Sequence, residues 1–377
     1  MRIGLIVNPI AGMGGRVALK GTDGADAPAR AVALGARPVA GERAERFLRR
    51  LSAIDARPEI LTLPGCMGAD AARNAAIPHE ALALPIAPAT TAEDTRRGAK
   101  ALQEAGADLI VFAGGDGTAR DIIDAVATRL PILGIPSGVK MHSAVFGATP
   151  EAAALLVSMV IAKDPRIVLQ DCEVMDIDEA ELRKGTLAAR LYGLACVPYE
   201  RRLVQAGKSR GPSASAALAG AAREIARTME PGTLYLIGPG TSAGLVKQAL
   251  GFEGTLLGVD AVLDGQLIGR DLTERRILEL SSGRAMKIIL GLVGGQGFLL
   301  GRGNQQLSPE VIRRASSKGL IALASTEKLL ALDGAPLYVD TSDAALDAEL
   351  AGYIRIATGP GETTIMRIAA PPDLLRD

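Results

Sequence analysis

The sequence predicts an α/β protein: an N-terminal Rossmann-like parallel-sheet domain carrying a Gly-Gly-Asp-Gly-Thr turn, then a second mixed α/β, β-rich domain. Three observations predict it. Short apolar runs alternate with amphipathic stretches through the first half, the pattern of a doubly wound parallel sheet. Several of these runs end in glycine-rich turns, and ligands of such sheets bind at the carboxyl ends of strands. The chain's 377 residues, 48% hydrophobic and 22% charged, suffice for two packed domains and argue against disorder. Asp164-Pro165 marks the expected boundary, giving domains 1–163 and 164–377, with the C-terminal tail free to return to the first domain.

Residues 2–7 read as the first core strand, stopped by Asn8-Pro9, because proline lacks an N–H and the residue before it avoids helix. Gly12, Gly14 and Gly15 follow in a loop that can bare its N–H groups, and Asn8 adds a side-chain amide. No Gly-Lys-Ser/Thr follows at the spacing of a P-loop. Polar text then runs to about Gly41, a long loop in which Lys20 and Asp23 are weak candidates for phosphate or ribose contact. Residues 42–54 form a helix with Phe47, Leu48 and Leu51 inward. Strands are expected at 59–63 and 81–86, and Thr91 with Asp94 opens a helix to Ala105 as a capping box.

Residues 108–113 are a buried strand, and Ile122, Ile123 and Val126 give the following stretch one apolar helical face. Between them lies Gly114-Gly115-Asp116-Gly117-Thr118. Its glycines let backbone N–H groups approach an anion, and the helix N-terminus adds partial positive charge. A carboxylate there does not bind phosphate; it suits removal of a proton from an attacking hydroxyl, or holding Mg²⁺ against phosphates. The plain alternative is a glycine-rich turn with an Asp cap. A strand at 131–135 ends in Pro136-Ser137-Gly138, where a second loop-to-helix turn presents Lys140, His142 and Ser143. Lys140 offers a point charge for phosphate. Thr149-Pro150 starts a helix through Ile161.

In the second half, 166–178 and 187–197 read as paired strands and 213–229 as an Ala-rich helix. A strand at 233–237 runs into Gly238-Pro-Gly240-Thr241-Ser242, with Thr241 or Ser242 capping the next helix. Asp264-Gly265 is the favoured two-residue turn of a hairpin, and Asp260 and Asp271 read as turn and edge residues. The glycine-rich stretch 291–303 places Gln296, Arg302 and Asn304 beside bare backbone and is the best candidate for substrate recognition in this half.

The three loops together resemble the superfamily of NAD kinases and diacylglycerol- and sphingosine-type lipid kinases. Gly114–Thr118 is similar to its signature, the Asn8-Pro9 loop to its first loop, and 134–143 to its third phosphate-side loop; this resemblance covers residues 1–145. The later text, notably 294–306, resembles the AcoX branch, ATP–NAD-kinase-like proteins associated with acetoin-utilisation genes, over nearly the whole chain. The resemblance implies an ATP-dependent phosphotransferase using Mg²⁺. It implies Asp116 and Lys140 as catalytic residues. Asn8, Gly12, Gly14, Gly15, Gly114, Gly115, Gly117, Thr118, Ser137 and Gly138 are implied to hold the nucleotide. His142, Ser143, Gly240, Thr241, Gln296, Arg302 and Asn304 face the substrate in this reading. The lead acceptor is the ribose 2′-OH of NAD; the alternatives are a small hydroxy compound such as acetoin, or a non-catalytic nucleotide sensor.

Lys and Arg total 42, equal to Asp and Glu, so no global field draws nucleic acid or anionic membrane. Three scattered cysteines and two histidines frame neither a disulfide network nor a metal site, and no metal ligand set stands out. No apolar run reaches the roughly 18 residues of a membrane span. A cytoplasmic homo-oligomer acting on a nucleotide and a small molecule is expected.

Overall fold

A computed structural model describes residues 1–377 except 20–26, 55, 88, 140, 178–188, 201–202, 205–215, 293–296, 316 and 371–377. The chain divides into two compact units, Met1–Gly14 with Gly21–Gly207, and Gly15–Lys20 with Lys208–Asp377. By their contacts, residues 164–207 group with the first unit. The paired strands after Asp164 therefore group with the first sheet.

The first unit is built on five strands: β1 (Arg2–Val7), β2 (Glu59–Thr62), β3 (Glu80–Ala81), β4 (Leu109–Gly114) and β5 (Ile132–Pro136). They lie in the order β3-β2-β1-β4-β5 and every neighbouring pair is parallel. Its helices are α1 (Ala27–Ala33), α2 (Ala40–Ala53), α3 (Ala69–Asn74), α4 (Ala92–Glu104), α5 (Asp116–Val126) and α6 (Pro150–Ile161). β4 is buried along its whole length, as a central parallel strand covered on both faces must be. The capping box forms at α4, where the Asp94 carboxylate accepts both the N–H and the hydroxyl of Thr91. Thr149 caps α6 by accepting from Ala152 N–H, with Pro150 at the first helical position.

Two local expectations fail. β3 is only two residues long; the strand expected over 81–86 pairs no further, and Pro85, lacking an N–H, suits a chain leaving the sheet edge. No helix follows Ser137-Gly138 directly. Residues 141–149 instead run back along the sheet, where Gly134 N–H donates to Val145 and Phe146 bridges Gly134. Phe146 meets Phe112 edge-on at 5.5 Å, filling the space that Gly134 leaves beside it. An antiparallel hairpin, β6 (Val168–Ile177) with β7 (Ala189–Tyr199), completes this unit. It packs on α5, with Cys172, Val174, Ala195 and Val197 buried.

The second unit carries a nine-stranded mixed sheet. In chain order its elements are α7 (Ala216–Arg227), β8 (Leu234–Ile237), α8 (Thr241–Ala249), β9 (Asp260–Leu263), β10 (Gln266–Gly269), α9 (Glu274–Leu280), β11 (Met286–Gly291) and β12 (Phe298–Leu300). Then come α10 (Pro309–Ala315), β13 (Leu320–Leu323), α11 (Thr326–Leu330), β14 (Leu337–Val339), α12 (Ala344–Leu350), β15 (Gly352–Gly359) and β16 (Glu362–Ala369). The strand order is β10-β9-β8-β11-β13-β15-β16-β14-β12. β8, β11, β13 and β15 run parallel in succession, and antiparallel pairs occur at β8–β9, β9–β10 and β15–β16. One face is buried under α7 and α8, the other under α9, α10 and α12. Asp264 and Gly265 both adopt positive φ, 51° and 75°, the geometry of the expected two-residue hairpin turn. The fold class is thus an α/β protein with a parallel N-terminal sheet and a mixed second sheet.

Candidate active site

Three loops leave the carboxyl ends of adjacent strands β1, β4 and β5, and glycines let them touch. Asn8 N–H donates to Ala113 O (2.9 Å), and the amides of Ser137 and Gly138 donate to Gly114 O at 3.0 and 3.1 Å. A Cβ on Gly138 would sit 2.9 Å from Gly115 Cα, so these turns meet backbone to backbone. Gly12 has φ +78°, and a Cβ there would collide with the Ser137 carbonyl. Thr118 folds back against Gly114, where a Cβ would meet its side chain at 2.5 Å, and its hydroxyl accepts from the Asn8 carboxamide at 2.9 Å. The first and second loops are thereby tied by one side-chain bond, and the second and third by backbone contact.

Asp116 is the first residue of α5 and its carboxylate is only 9% exposed. Oδ2 accepts the His142 N–H at 2.7 Å and Oδ1 accepts the Ser143 N–H at 3.0 Å. The residue expected before the helix therefore sits in its first turn, held by the third loop. Its helix is preceded by Gly115, which has no side chain to cap it. First-turn N–H groups such as those of Gly117 and Thr118 have no intrahelical acceptor, so they are available to an anion. His142 and Ser143 are buried, and the Ser143 hydroxyl accepts from Met175 N–H at 2.9 Å, joining the hairpin to the same loop. Lys140 lies outside the described residues.

Two families of known domains match the chain. The model of the ATP-NAD kinase N-terminal domain matches residues 3–164, and that of the ATP-NAD kinase C-terminal domain matches residues 233–368. The chain belongs to the ATP–NAD kinase family. It is an ATP-dependent kinase, and the loops just described stand within the N-terminal match. No individual curated protein matches the sequence.

The sequence also singled out residues that fall in the second unit. Gly15 groups there with Gln305, whose side chain a Cβ on Gly15 would meet at 3.0 Å. Gly240, φ +103°, is the N-cap of α8; neither Thr241 nor Ser242 caps it, as the sequence suggested, and the Ser242 hydroxyl instead lies 3.1 Å from Lys328 Nζ. Burial holds the Lys328 ammonium below the ordinary lysine range. The stretch 291–303 is not all loop, because Phe298–Leu300 is a buried strand; Gln296 lies outside the described residues. Asn304 is turned onto its own loop, accepting from Gly301 N–H and donating to Leu299 O. Arg302 is buried, with its guanidinium 4.8 Å from the Phe298 ring centre and 3.8 Å from Asp340. Both residues organise the loop they belong to.

Two features escaped the sequence reading. Arg43 is absent from the inward set read for α2, Phe47, Leu48 and Leu51, yet it is buried and donates to Pro136 O at 3.0 Å, bracing the chain just before Ser137. Its position beside Ala40, Ala44 and Phe47 on the inward face was the available signal. Asp260, read as a turn or edge residue, is fully buried against Lys247 at 2.9 Å. Nothing in its local text marks it, since its partner stands 13 residues away.

Proposed function

We propose that this kinase transfers the γ-phosphoryl group of ATP to an alcohol hydroxyl, with the ribose 2′-OH of NAD as the acceptor. The observation that carries the reading is Asp116, a buried carboxylate clamped by two amides where three glycine loops meet. The loop amides near Gly12, Gly14, Gly115, Gly117, Thr118 and Gly138, with Asn8 at the first loop, would hold phosphate oxygens. The Asp116 oxygens accept the backbone N–H groups of His142 and Ser143. The carboxylate takes the proton of the attacking hydroxyl, while the two amides fix its orientation. Lys140 supplies positive charge to the transferring group.

The donor set fits a Mg²⁺ ion brought in by the nucleotide. Magnesium is ordinarily bound by one or two carboxylates together with substrate phosphates. Asp116 is a carboxylate beside the loops, and no cluster of three His, Cys, Asp or Glu is present among the described residues. When bound, the ion would neutralise phosphate charge.

The resemblance of residues 294–306 to the AcoX branch supports a second acceptor class, a small hydroxy compound such as acetoin. The test is Mg²⁺-dependent ADP release from ATP with NAD, NADH, acetoin or no acceptor. NAD-dependent release establishes the lead reading, and release with acetoin alone transfers the assignment to a small-alcohol kinase. Nucleotide binding without release under any acceptor defeats both and leaves a sensor.

A further inference from the structure

β8, β11 and β13 are adjacent parallel strands, and their carboxyl ends bring together three residues that the phosphate-side loops do not use. Ser242 follows β8 at the start of α8, Gly291 ends β11, and Lys328 follows β13 on α11. The Lys328 Nζ lies 3.1 Å from the Ser242 hydroxyl. A Cβ on Gly291 would sit 3.2 Å from the Ser242 Cβ and 3.3 Å from the Ala243 amide nitrogen, so glycine there keeps the space before that amide clear. Ser242 is buried and Lys328 half-buried, while a Cβ on Gly240 or Gly244 would meet nothing within 4 Å, which leaves the glycine side of the turn open.

The local sequence gives this cluster a chemical sense. Gly240-Thr241-Ser242-Ala243-Gly244 has the Gly-x-Ser-x-Gly spacing of a serine nucleophile, and it stands between a strand and a helix, the setting in which that spacing matters. The left-handed residue of the turn is Gly240, at φ +103°, and Ser242 lies in the first turn of the helix. Its own N–H and that of Ala243 therefore have no intrahelical acceptor, and the amide after the nucleophile is the one that serves an oxyanion in such a turn. A serine hydroxyl is a weak nucleophile until a base takes its proton. The second unit holds no histidine, and the group at hand is the Lys328 amine, as in Ser–Lys pairs. No carboxylate pairs with Lys328 among the described residues, and burial favours its neutral amine, which accepts the serine O–H across the same separation.

We propose that Ser242 and Lys328 form a second reaction centre of this chain, which hydrolyses uncharged short-chain carboxylic esters. Ser242 Oγ attacks the ester carbonyl carbon as Lys328 takes its proton. The Ser242 and Ala243 amides hold the oxygen that becomes negative. The bond to the ester oxygen then breaks, and Lys328 returns the proton to the departing alkoxide, which leaves as an alcohol. Water attacks the acyl-serine and gives a proton to Lys328; collapse releases the carboxylic acid, and the lysine passes its proton to the Ser242 oxygen. The substrate class follows from the lining. Glycine and alanine border Ser242 and leave room for a small acyl group, and the amine must stay neutral, which an acidic substrate would oppose.

The test is release of p-nitrophenol from p-nitrophenyl acetate by wild type, S242A, K328M, K328R and D116N, with circular dichroism on each. Wild type is expected to turn over many times per chain. S242A is expected to fall to the solvent rate and K328M to lose about 10²–10⁴-fold in kcat/KM. K328R is expected not to recover that loss, because a guanidinium keeps its proton at every working pH. D116N should hydrolyse the ester at the wild-type rate, because Asp116 has no part in this reaction. A fluorophosphonate probe, followed by peptide mass spectrometry of the wild type, should mark Ser242, and this readout needs no variant to fold. The proposal is overturned by a wild type no faster than S242A, by a K328M or K328R protein with wild-type turnover, by a D116N protein that loses ester hydrolysis, or by a probe that leaves Ser242 unmarked.

Discussion

Asp116 is a residue whose surroundings assign two jobs to one carboxylate. Its bonds to His142 and Ser143 lock the second loop to the third, and in the proposed reaction the same carboxylate takes the proton of the attacking hydroxyl. In the proposed reaction, replacing it with Asn removes the base, keeps one of the two amide bonds through the carboxamide oxygen and loses the other. Turnover is expected to fall about 10²–10⁴-fold, measured as ADP release, with the circular dichroism spectrum unchanged; more than a tenth of wild-type turnover would remove Asp116 from the mechanism. Gly12 offers a separate test of the loop geometry. An Ala there must hold φ near +78° and push its methyl into the Ser137 carbonyl. G12A should raise the KM for ATP more than it lowers kcat, because it displaces a phosphate-side loop and leaves the carboxylate in place. The close meeting of the loops was legible in the sequence, because glycines between strand and helix permit backbone-to-backbone approach. The clamp was not, because His142 and Ser143 act through backbone amides, which no side-chain pattern records.

At the scale of elements, the strands and helices of the first unit follow the hydrophobic pattern closely, and Thr91, Thr149 and Pro150 set helix starts where caps predict them. The failures share a cause: each depends on a tertiary partner. The run after Glu80 lies at a sheet edge, the stretch after Gly138 is held by Gly134 and the hairpin, and Asp260 is buried only because Lys247 on α8 reaches it. That ion pair closes a tight network. Asp260 accepts from Thr255 N–H, the Thr255 hydroxyl and Asp271 N–H, while Lys247 donates to Thr255 O at 2.7 Å. Removing the cation strands a buried carboxylate, so K247M is expected to destabilise the second unit by about 3–5 kcal/mol, read from urea unfolding. A paired K247M/D260N variant should recover part of the loss, because the neutral carboxamide leaves no stranded charge while its oxygen still accepts from the Thr255 hydroxyl and the Asp271 N–H. The hairpin gives a milder test. Burial first, then the neighbouring Asp171, pushes the Cys172 thiol up to about 11, so at pH 8 it is almost wholly protonated. Iodoacetamide should label exposed Cys66 well before Cys172 in the folded protein, and the difference should vanish in urea.

For the molecule as a whole, ligand linkage separates the binding of nucleotide by the loops from its turnover. A ligand that binds only the folded state stabilises by about 2.7 kcal/mol when present at 100 times its Kd. For units of this size each kcal/mol moves Tm by roughly 2–4 °C, so saturating ATP with Mg²⁺ should raise the transition of the first unit by about 5–10 °C. The loops that would hold the phosphates are built from backbone and Asn8, and D116N gives up only one of the two amide bonds between Asp116 and the third loop. The variant should therefore keep most of the ATP-induced shift while losing turnover. G12A should behave the other way, keeping turnover at high ATP and losing part of the shift at low ATP. A D116N protein that loses both shift and turnover would make Asp116 a pin for the loops, with the proton acceptor elsewhere. One that loses neither would make it a helix-start residue, and the glycine loops alone would then carry the nucleotide.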